Sequence, residues 1–445
     1  MIADHYKIAP SGAPPPPRKH AEEAAGPSPT RRRTEWKQTL GALRRSVPLL
    51  GLPVLTRFAI VRRSQHRSAA AVSDLPSGNA VIGQSGGPTA VINQSLAGVV
   101  EGLKAGLVAS GQVKSILGMR HGVRGLLQDD LVDLTGLSAT DLDAVARTPS
   151  AALGSTRDKP DAAYCDKILA GCRKSDIRYF FYIGGNDSAD TCRIVSEKAA
   201  EAGYELRCFH VPKTIDNDLV ENDHTPGFPS AARYVAMALM GDALDNASLG
   251  GIKINVIMGR NAGFLTAAAA LARGAPSNGA APADRPAPHL IYLPEVPFST
   301  EAFLADVEAV YAKLGRCQIA VSEGIRDEAG TEIGPKLMRG AGEVDAHGNV
   351  QLSGSGALGD GLADLVKTGL TPAGGKAPRV RADTFGYIQR CWPEPSPVDT
   401  KEARAVGRFA AELAAKGESH ASVIIRRESD APYASECARA DLSAV

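Results

Sequence analysis

Arg178-Tyr179-Phe180-Phe181-Tyr182-Ile183-Gly184-Gly185-Asn186-Asp187-Ser188, residues 178–188, begins with four aromatics and an isoleucine behind one arginine. No polar residue alternates with them, so this is a strand covered on both faces. Two glycines then turn the chain, and Ala189–Ala202 follows as a helix. A doubly covered strand that passes through a glycine turn into a helix is the building unit of a parallel α/β sheet. Asp187 reads either as a cap of that helix or as part of a phosphate or metal site.

The same unit recurs outward in both directions. Upstream, Asn79–Gly83 is a short apolar strand, and Pro88–Leu103 is expected to be a helix with proline in its first turn. Downstream come strands at Leu206–Val211, Ile252–Met258, Pro288–Leu293, Cys317–Val321 and Ala421–Ile425. Helices are expected at Ser230–Asp245, Gly263–Ala272, Thr300–Leu314 and Thr400–Lys416, and a Pro/Ala/Gly loop at 274–288. No fixed-period repeat interrupts this alternation. Such folds bind ligands beyond the carboxyl ends of their strands.

Composition excludes several classes. The 445 residues are 44% hydrophobic and 22% charged, and 50 Lys/Arg against 49 Asp/Glu leave +1, without the basic excess of a nucleic-acid binder. No apolar run reaches the ~18–20 residues of a membrane helix. The seven cysteines contain no CxxC pair, which argues against a disulfide scaffold or zinc ribbon and for a reducing cytoplasm. Charge is unevenly spread: residues 1–78 hold 13 Lys/Arg, 5 Asp/Glu and ten of the 29 prolines. They read as a disordered basic extension with one short helix near Trp36–Arg45. The apolar stretch Val47–Val61 is broken by Pro48, Pro53 and Arg57 and has no secretory cleavage pattern. Residues 79–430 form the catalytic region and 431–445 a C-terminal tail.

Each strand end carries chemistry. Gly83-Gln84-Ser85-Gly86-Gly87-Pro88-Thr89 is either a tight turn or a phosphate cradle at a helix start; it matches neither the dinucleotide GxGxxG nor a P-loop. Pro212-Lys213-Thr214-Ile215-Asp216-Asn217-Asp218 sets a lysine and two carboxylates just past a buried strand, the composition of a catalytic loop. Met258-Gly259-Arg260-Asn261-Ala262-Gly263 presents an arginine, whose planar fork grips phosphate. Glu295 and Glu323 end two further strands. Other residues read blandly: His210 as a core histidine, Cys391 as an ordinary thiol, and His224 and Arg157 as either site residues or plain surface polarity.

Taken in order, GQSGGPTAVIN (83–93), YIGGNDS (182–188), PKTIDND (212–218), IMGRNAG (257–263), LPE (293–295) and DTFGYIQR (383–390) resemble the phosphofructokinase family. The resemblance spans about residues 79–430 and implies two Rossmann-like parallel-sheet α/β domains with the active site in the cleft between them. It implies phosphoryl transfer to the 1-hydroxyl of fructose 6-phosphate, giving fructose 1,6-bisphosphate, in glycolysis and gluconeogenesis. Asp216 would be the general base, with Lys213 and Arg260 as its catalytic partners. Thr214, Ile215, Met258, Gly259, Arg260 and Glu295 would line the sugar site. Tyr387, Ile388, Gln389 and Arg390 would hold the 6-phosphate, and Arg381 would be supplied to a neighbouring subunit. Gly86 would place backbone amides on the donor. Magnesium would lie at Asn186 and Asp187, aided by Asp218, and the protein would be a homodimer or homotetramer.

ATP-using members of the family usually carry glycine where Asp187 and Lys213 stand. An acid and a lysine there resemble the pyrophosphate-using branch: Asp187 repels an α-phosphate and fills its room, and Lys213 adds a cation to a compact site. The alternatives are an ATP-dependent 6-phosphofructokinase, a catalytically impaired sugar-phosphate-binding paralogue, or preference for sedoheptulose 7-phosphate. Two departures from the family pattern are Asn186, where an aspartate is common, and the proline-rich segment Cys391–Pro397.

Overall fold

The computed structural model describes residues 75–274, 286–337 and 356–445. The chain lays down β1 (Gly78–Gln84), β2 (Val113–Met119), β3 (Leu131–Asp133), β4 (Ile177–Gly184) and β5 (Arg207–Pro212). It crosses over to form β6 (Gly251–Ile257), β7 (Leu290–Tyr292), β8 (Arg316–Ser322) and β9 (Val380–Thr384), and returns for β10 (His420–Asp430) and β11 (Tyr433–Ala440). The result is a seven-stranded sheet of order β11-β10-β5-β4-β1-β2-β3 and a four-stranded sheet of order β7-β8-β6-β9. Only the two edge pairings of the first sheet, β10 with β11 and β2 with β3, are antiparallel.

Apolar burial explains the centre of each sheet. Phe180, Phe181 and Ile183 of β4 are fully buried, which requires helices on both faces. Those helices include α1 (Ile92–Leu103), α2 (Ala162–Lys174) and α3 (Asn186–Glu201). The second sheet packs Ile254, Ile319 and Val321 against Phe303 of α5 (Thr300–Leu314) and Leu362 of α6 (Ala357–Gly369), after α4 (Phe228–Leu249) has joined the two halves. A third cluster, with Ile215, Val235, Met258, Leu265 and Phe385, ties the loop after β5 to the strand ends of the second sheet.

The structure moves some expected boundaries. The helix after β1 begins at Ile92 rather than Pro88, because buried Thr89 gives its carbonyl to Ser150 N (3.1 Å) and the segment before it is held as an open loop. The helix expected over Gly263–Ala272 is α-helical only at Phe264–Ala267 and tightens into a 3₁₀ turn to Arg273. Residues 431–445 are not a tail: Tyr433–Ala440 pairs with β10 from Asp430↔Tyr433 to Ser422↔Ala440, and Leu442 is buried in the first core. An edge strand half exposed to solvent needs no apolar run, so its sequence is polar. The extension 1–78, with its helix near Trp36, falls outside the described residues apart from 75–78, as does most of the 274–288 loop.

Helix α7 (Pro397–Ala415) crosses α1 at two glycines. A Cβ at Gly98 would overlap Arg404 O, and one at Gly407 would overlap Ser95 O. Arg404 and Arg408 then pair with Glu101 across the contact. We expect Gly98→Val to destabilise the fold by about 1–3 kcal/mol, since neither backbone can retreat, and urea denaturation reads the loss.

Candidate active site

Loops from both sheets meet at their carboxyl edges. From the first sheet come Ser85–Gly87 after β1, Gly185–Ser188 after β4 and Lys213–Asp218 after β5. Together with the 156–158 segment they line one cavity of about 280 Å³, into which Asp187, Lys213 and Asp216 all open. From the second sheet, Arg390 reaches the same place: its guanidinium lies 2.9 Å from where a Cβ on Gly87 would stand, and 4.6 Å from the Tyr387 ring centre. Glycine at 87 is what admits that cation.

Backbone bonds fix the loops. Lys213 N donates to Gly184 O (3.0 Å) and Thr214 N to Pro226 O (3.3 Å). Asp216 N donates to Thr214 Oγ1 (3.1 Å), and Asn217, at φ 60°, accepts from Thr225 N through its Oδ1 (2.8 Å). The buried amides Gln84 and Asn93 brace the opposite wall, since Gln84 Oε1 accepts from Leu153 N and Asn93 Oδ1 from Ala152 N, each at 2.9 Å. Asp158 is held by Arg124 Nε (2.7 Å) and Tyr164 Oη (2.9 Å).

Electrostatics set the protonation of the site. Lys213 is 3% exposed. Its pKa falls to about 7, chiefly through burial, with Arg390 and Arg157 adding to the fall and Asp216 and Asp218 opposing it. Asp216 keeps some accessible surface because the cavity opens onto it, yet protein surrounds it. Burial raises its carboxyl above the ordinary range, with repulsion from Asp218 adding to this and Arg390 and Lys213 offsetting part. Burial likewise lowers Arg390. The cavity thus joins a basic carboxylate to cations whose charge is incompletely compensated, an arrangement that favours an entering anion.

Several expected site residues stand elsewhere. Gly86 does not offer its own amide to a donor, because Gly86 N is bonded to Thr156 O (2.8 Å); at φ 73° it contributes room, leaving 3.2 Å between a built Cβ and Lys213 Nζ. The side chains of Ile215 and Met258 are turned into the core cluster between the sheets. Arg260 and Glu295 sit on the second sheet's edge, outside that cavity, and Glu295 Oε1 accepts from Gly263 N (2.6 Å). Ser322 Oγ bonds to Gly259 O (2.6 Å), anchoring the arginine turn. Gln389 is buried and bonds to Gly386 O (2.8 Å), while Tyr387 and Ile388 are exposed. Arg381 is the second residue of β9, exposed and in register with Lys253, so it lies toward the amino end of the sheet and does not reach this chain's own cavity.

The proposed metal pair is also rearranged. Asn186 Nδ2 donates to Asp218 Oδ2 (3.0 Å), and Asp187 pairs with Lys159 (3.1 Å). Among the described residues no group of three His, Cys, Asp or Glu is assembled to hold a metal. His210, buried between Ser422 Oγ (2.8 Å) and Gly184 O (2.9 Å) with its pKa lowered to about 4 by burial, is a neutral core residue. Sequence reading left Arg157 undecided and overlooked Asp158 and Lys159; the run Leu153-Gly154-Ser155-Thr156-Arg157-Asp158-Lys159 was the available signal, a glycine turn followed by three charges.

Two parallel-sheet halves whose loops bring buried cations and a recessed carboxylate together have the form of a phosphoryl-transfer enzyme, and residues 79–414 match the phosphofructokinase family, to which the chain belongs. It is 53% identical over 352 residues to the pyrophosphate--fructose 6-phosphate 1-phosphotransferase of Rhodospirillum rubrum, covering 79% of this chain and 82% of that one. It is 39% identical to the enzyme of the same name from Xanthomonas campestris, covering 81% and 82%. The solved structure of a pyrophosphate-dependent phosphofructokinase from Nitrosospira multiformis superposes with a TM-score of 0.69 at 35% identity, covering 82% of this chain and 83% of that one.

Proposed function

We propose that the protein transfers a phosphoryl group from pyrophosphate to the 1-hydroxyl of fructose 6-phosphate, giving fructose 1,6-bisphosphate and inorganic phosphate. The carrying observation is the shared cavity of Asp187, Lys213 and Asp216. Its lining is polar throughout, with Lys213 and Arg157 beside Asp187, Asp216 and Asp218 and no aromatic side chain on which a base could stack, which suits a small inorganic anion better than a nucleotide. Asp187, tied to Lys159 and half exposed, lines the same cavity, and its charge would repel the α-phosphate of a nucleotide.

In the forward direction Asp216 accepts the proton of the sugar 1-hydroxyl as that oxygen attacks phosphorus. The bridging P–O bond of the donor breaks and phosphate leaves. Lys213 and Arg390 balance the charge spread over the transferring group, and Arg260 and Glu295 serve the sugar from the facing sheet. Bonds broken and formed are close in energy, so the reaction runs readily in reverse.

Oxygen ligands for magnesium are at hand without being assembled: Asp216 and Asp218 carry carboxylates that repel each other, and Asn186, whose amide N–H is turned to Asp218, presents its oxygen to a cation after rotation of the amide, a ligand class suited to a hard ion that keeps waters and donor phosphate oxygens. Asp218 with Asn186 would hold it, and the ion would screen the donor's charge; Asp187, engaged by Lys159, is the weaker ligand of the pair expected from sequence.

The working enzyme is a homo-oligomer, dimer or tetramer. Met237, Met240, Leu244 and Leu249 are exposed along α4, and Arg381 faces away from its own site. All seven cysteines are free thiols, and no helix among the described residues is long and apolar enough to cross a membrane, which suits a cytoplasmic enzyme acting on soluble metabolites.

The test is a coupled assay of purified protein with fructose 6-phosphate, magnesium and either pyrophosphate or ATP. Turnover with pyrophosphate and little with ATP is expected. Robust turnover with ATP alone would overturn the reading, and sugar-phosphate binding without turnover would favour a catalytically impaired paralogue. A parallel arm with sedoheptulose 7-phosphate fixes the acceptor.

A further inference from the structure

The loop that carries Asp216 and Asp218 is tied down from behind by charged groups that do not line the cavity. His224, near the end of that loop, is 7% exposed. Its Nδ1 lies 2.8 Å from Asp223 Oδ1 and its Nε2 lies 2.7 Å from Glu402 Oε2 of α7. Both neighbours are carboxylates and can only accept. A neutral imidazole has one N–H and one lone pair, so at one contact it would set a lone pair against an anion. The imidazolium satisfies both contacts.

Both carboxylates have further partners. The other oxygen of Glu402 accepts from Ser435 Oγ (2.6 Å) and from Tyr433 Oη, both on β11. Asp223 also pairs with Arg427 of β10 (3.0 Å). Asp223 N donates to Ile425 O, and Ile425 N to Asn222 Oδ1, each at 3.0 Å. Beside them, buried Asp399 accepts from Gly227 N (2.9 Å) and Ser230 N (3.1 Å). The link to the chemistry is direct: Thr225 N, next to His224, donates to Asn217 Oδ1, and Asn217 separates Asp216 from Asp218.

We propose that His224 is a positioning residue for the transfer reaction, held as an imidazolium between Asp223 and Glu402 so that the 213–227 loop keeps Asp216 and Asp218 aimed into the donor cavity. It acts through the loop and touches no substrate. The terminal hairpin β10–β11 is thereby part of the catalytic apparatus.

A pH dependence follows. The groups facing the ring are Asp223, Glu402, Tyr433 and Arg427, with Asp399 beyond Glu402. Burial disfavours the charged ring, but its hydrogen bonds to Glu402 and Asp223 outweigh that and hold its pKa above the ordinary 6.5. The clamp is therefore complete below pH 6.5 and is lost as pH rises through the raised value.

The inference rests on the pyrophosphate reading only for its kinetic readout, so the test has two arms on the full chain: steady-state kinetics with pyrophosphate, and hydrogen exchange of the 213–222 backbone without substrate, corrected for intrinsic exchange, across pH 6–9. In the wild type, protection of the loop should fall as the imidazole titrates. His224→Gln should show the unprotected loop at all pH values. Its kcat should drop about 10²-fold through misplacement of Asp216, with the fructose 6-phosphate KM moving less than about threefold. Tyr433→Phe, a milder change at a partly exposed site, should shift both readouts the same way, and it keeps the test open should His224→Gln fold poorly. A normal kcat in a folded His224→Gln protein, unchanged pH dependence of loop exchange, or an imidazole that titrates at or below 6.5 by NMR would overturn the proposal. A wild type inactive with pyrophosphate would refute the functional reading alone, because the exchange arm needs no turnover.

Discussion

Asp216→Asn should lower kcat with pyrophosphate by about 10²–10⁴-fold, the usual contribution of a positioned general base. The substitution keeps the shape of the side chain and removes its ability to take the sugar proton. It also removes a charge that burial and Asp218 both disfavour. The thermal midpoint should therefore hold or rise, which separates lost chemistry from lost structure. Steady-state rates in both directions, with a melting curve on the same sample, make the measurement. A variant within about tenfold of wild type would remove Asp216 from the role of base.

The second large effect concerns the donor. Lys213→Met should raise the pyrophosphate KM by about 10–100-fold, the loss of one charge-assisted bond to phosphate at roughly 1.5–3 kcal/mol. The fructose 6-phosphate KM should move far less, because Arg260 and Glu295, which serve the sugar, lie outside the cavity that Lys213 lines. The pH behaviour gives a sharper signature. With a pKa of about 7 in the empty site, Lys213 is partly neutral above neutrality and must take up a proton as the anion enters. Apparent donor affinity in the wild type should thus decline as pH rises above about 7, and that decline should vanish in Lys213→Met. Asp187→Gly acts on the other side of selectivity: it removes the carboxylate and releases Lys159 from its 3.1 Å ion pair. Combined with Lys213→Gly, it should raise the ratio of ATP to pyrophosphate turnover. Competition assays read that ratio, and an unchanged ratio would mean that donor choice is made elsewhere in the fold.

Much of this was legible before any coordinates. The aromatic run at 179–182 announced a doubly covered strand, and the glycine-marked strand ends at 83–87, 184–185 and 259–263 announced a ligand edge. These signals are local: a hydrophobic period and a turn residue express themselves within a few positions. Strands β2, β3 and β9 and the edge strand β11 were missed for the same reason. Val380–Thr384 and Tyr433–Ala440 are too polar to declare themselves, and they are ordered by the neighbours they pair with. His224 illustrates the limit well. In sequence it is a polar residue in a polar loop; in the folded chain Glu402 and Tyr433, far along the chain, turn it into a buried cation.

Residue pattern alone was enough to name the chemistry carried on each loop, a lysine and two acids after one strand and an arginine between small residues after another; the family resemblance added what an acid at 187 implies for the donor. Long-range packing settled how those groups meet. It carried Arg390 from the second sheet to Gly87 of the first, spent the Gly86 amide on Thr156, turned Met258 and Ile215 into the core, and sank Lys213 far enough to weaken its hold on a proton. Solvent exclusion and electric field at a point depend on everything that surrounds it, and what surrounds these side chains comes from segments hundreds of residues apart.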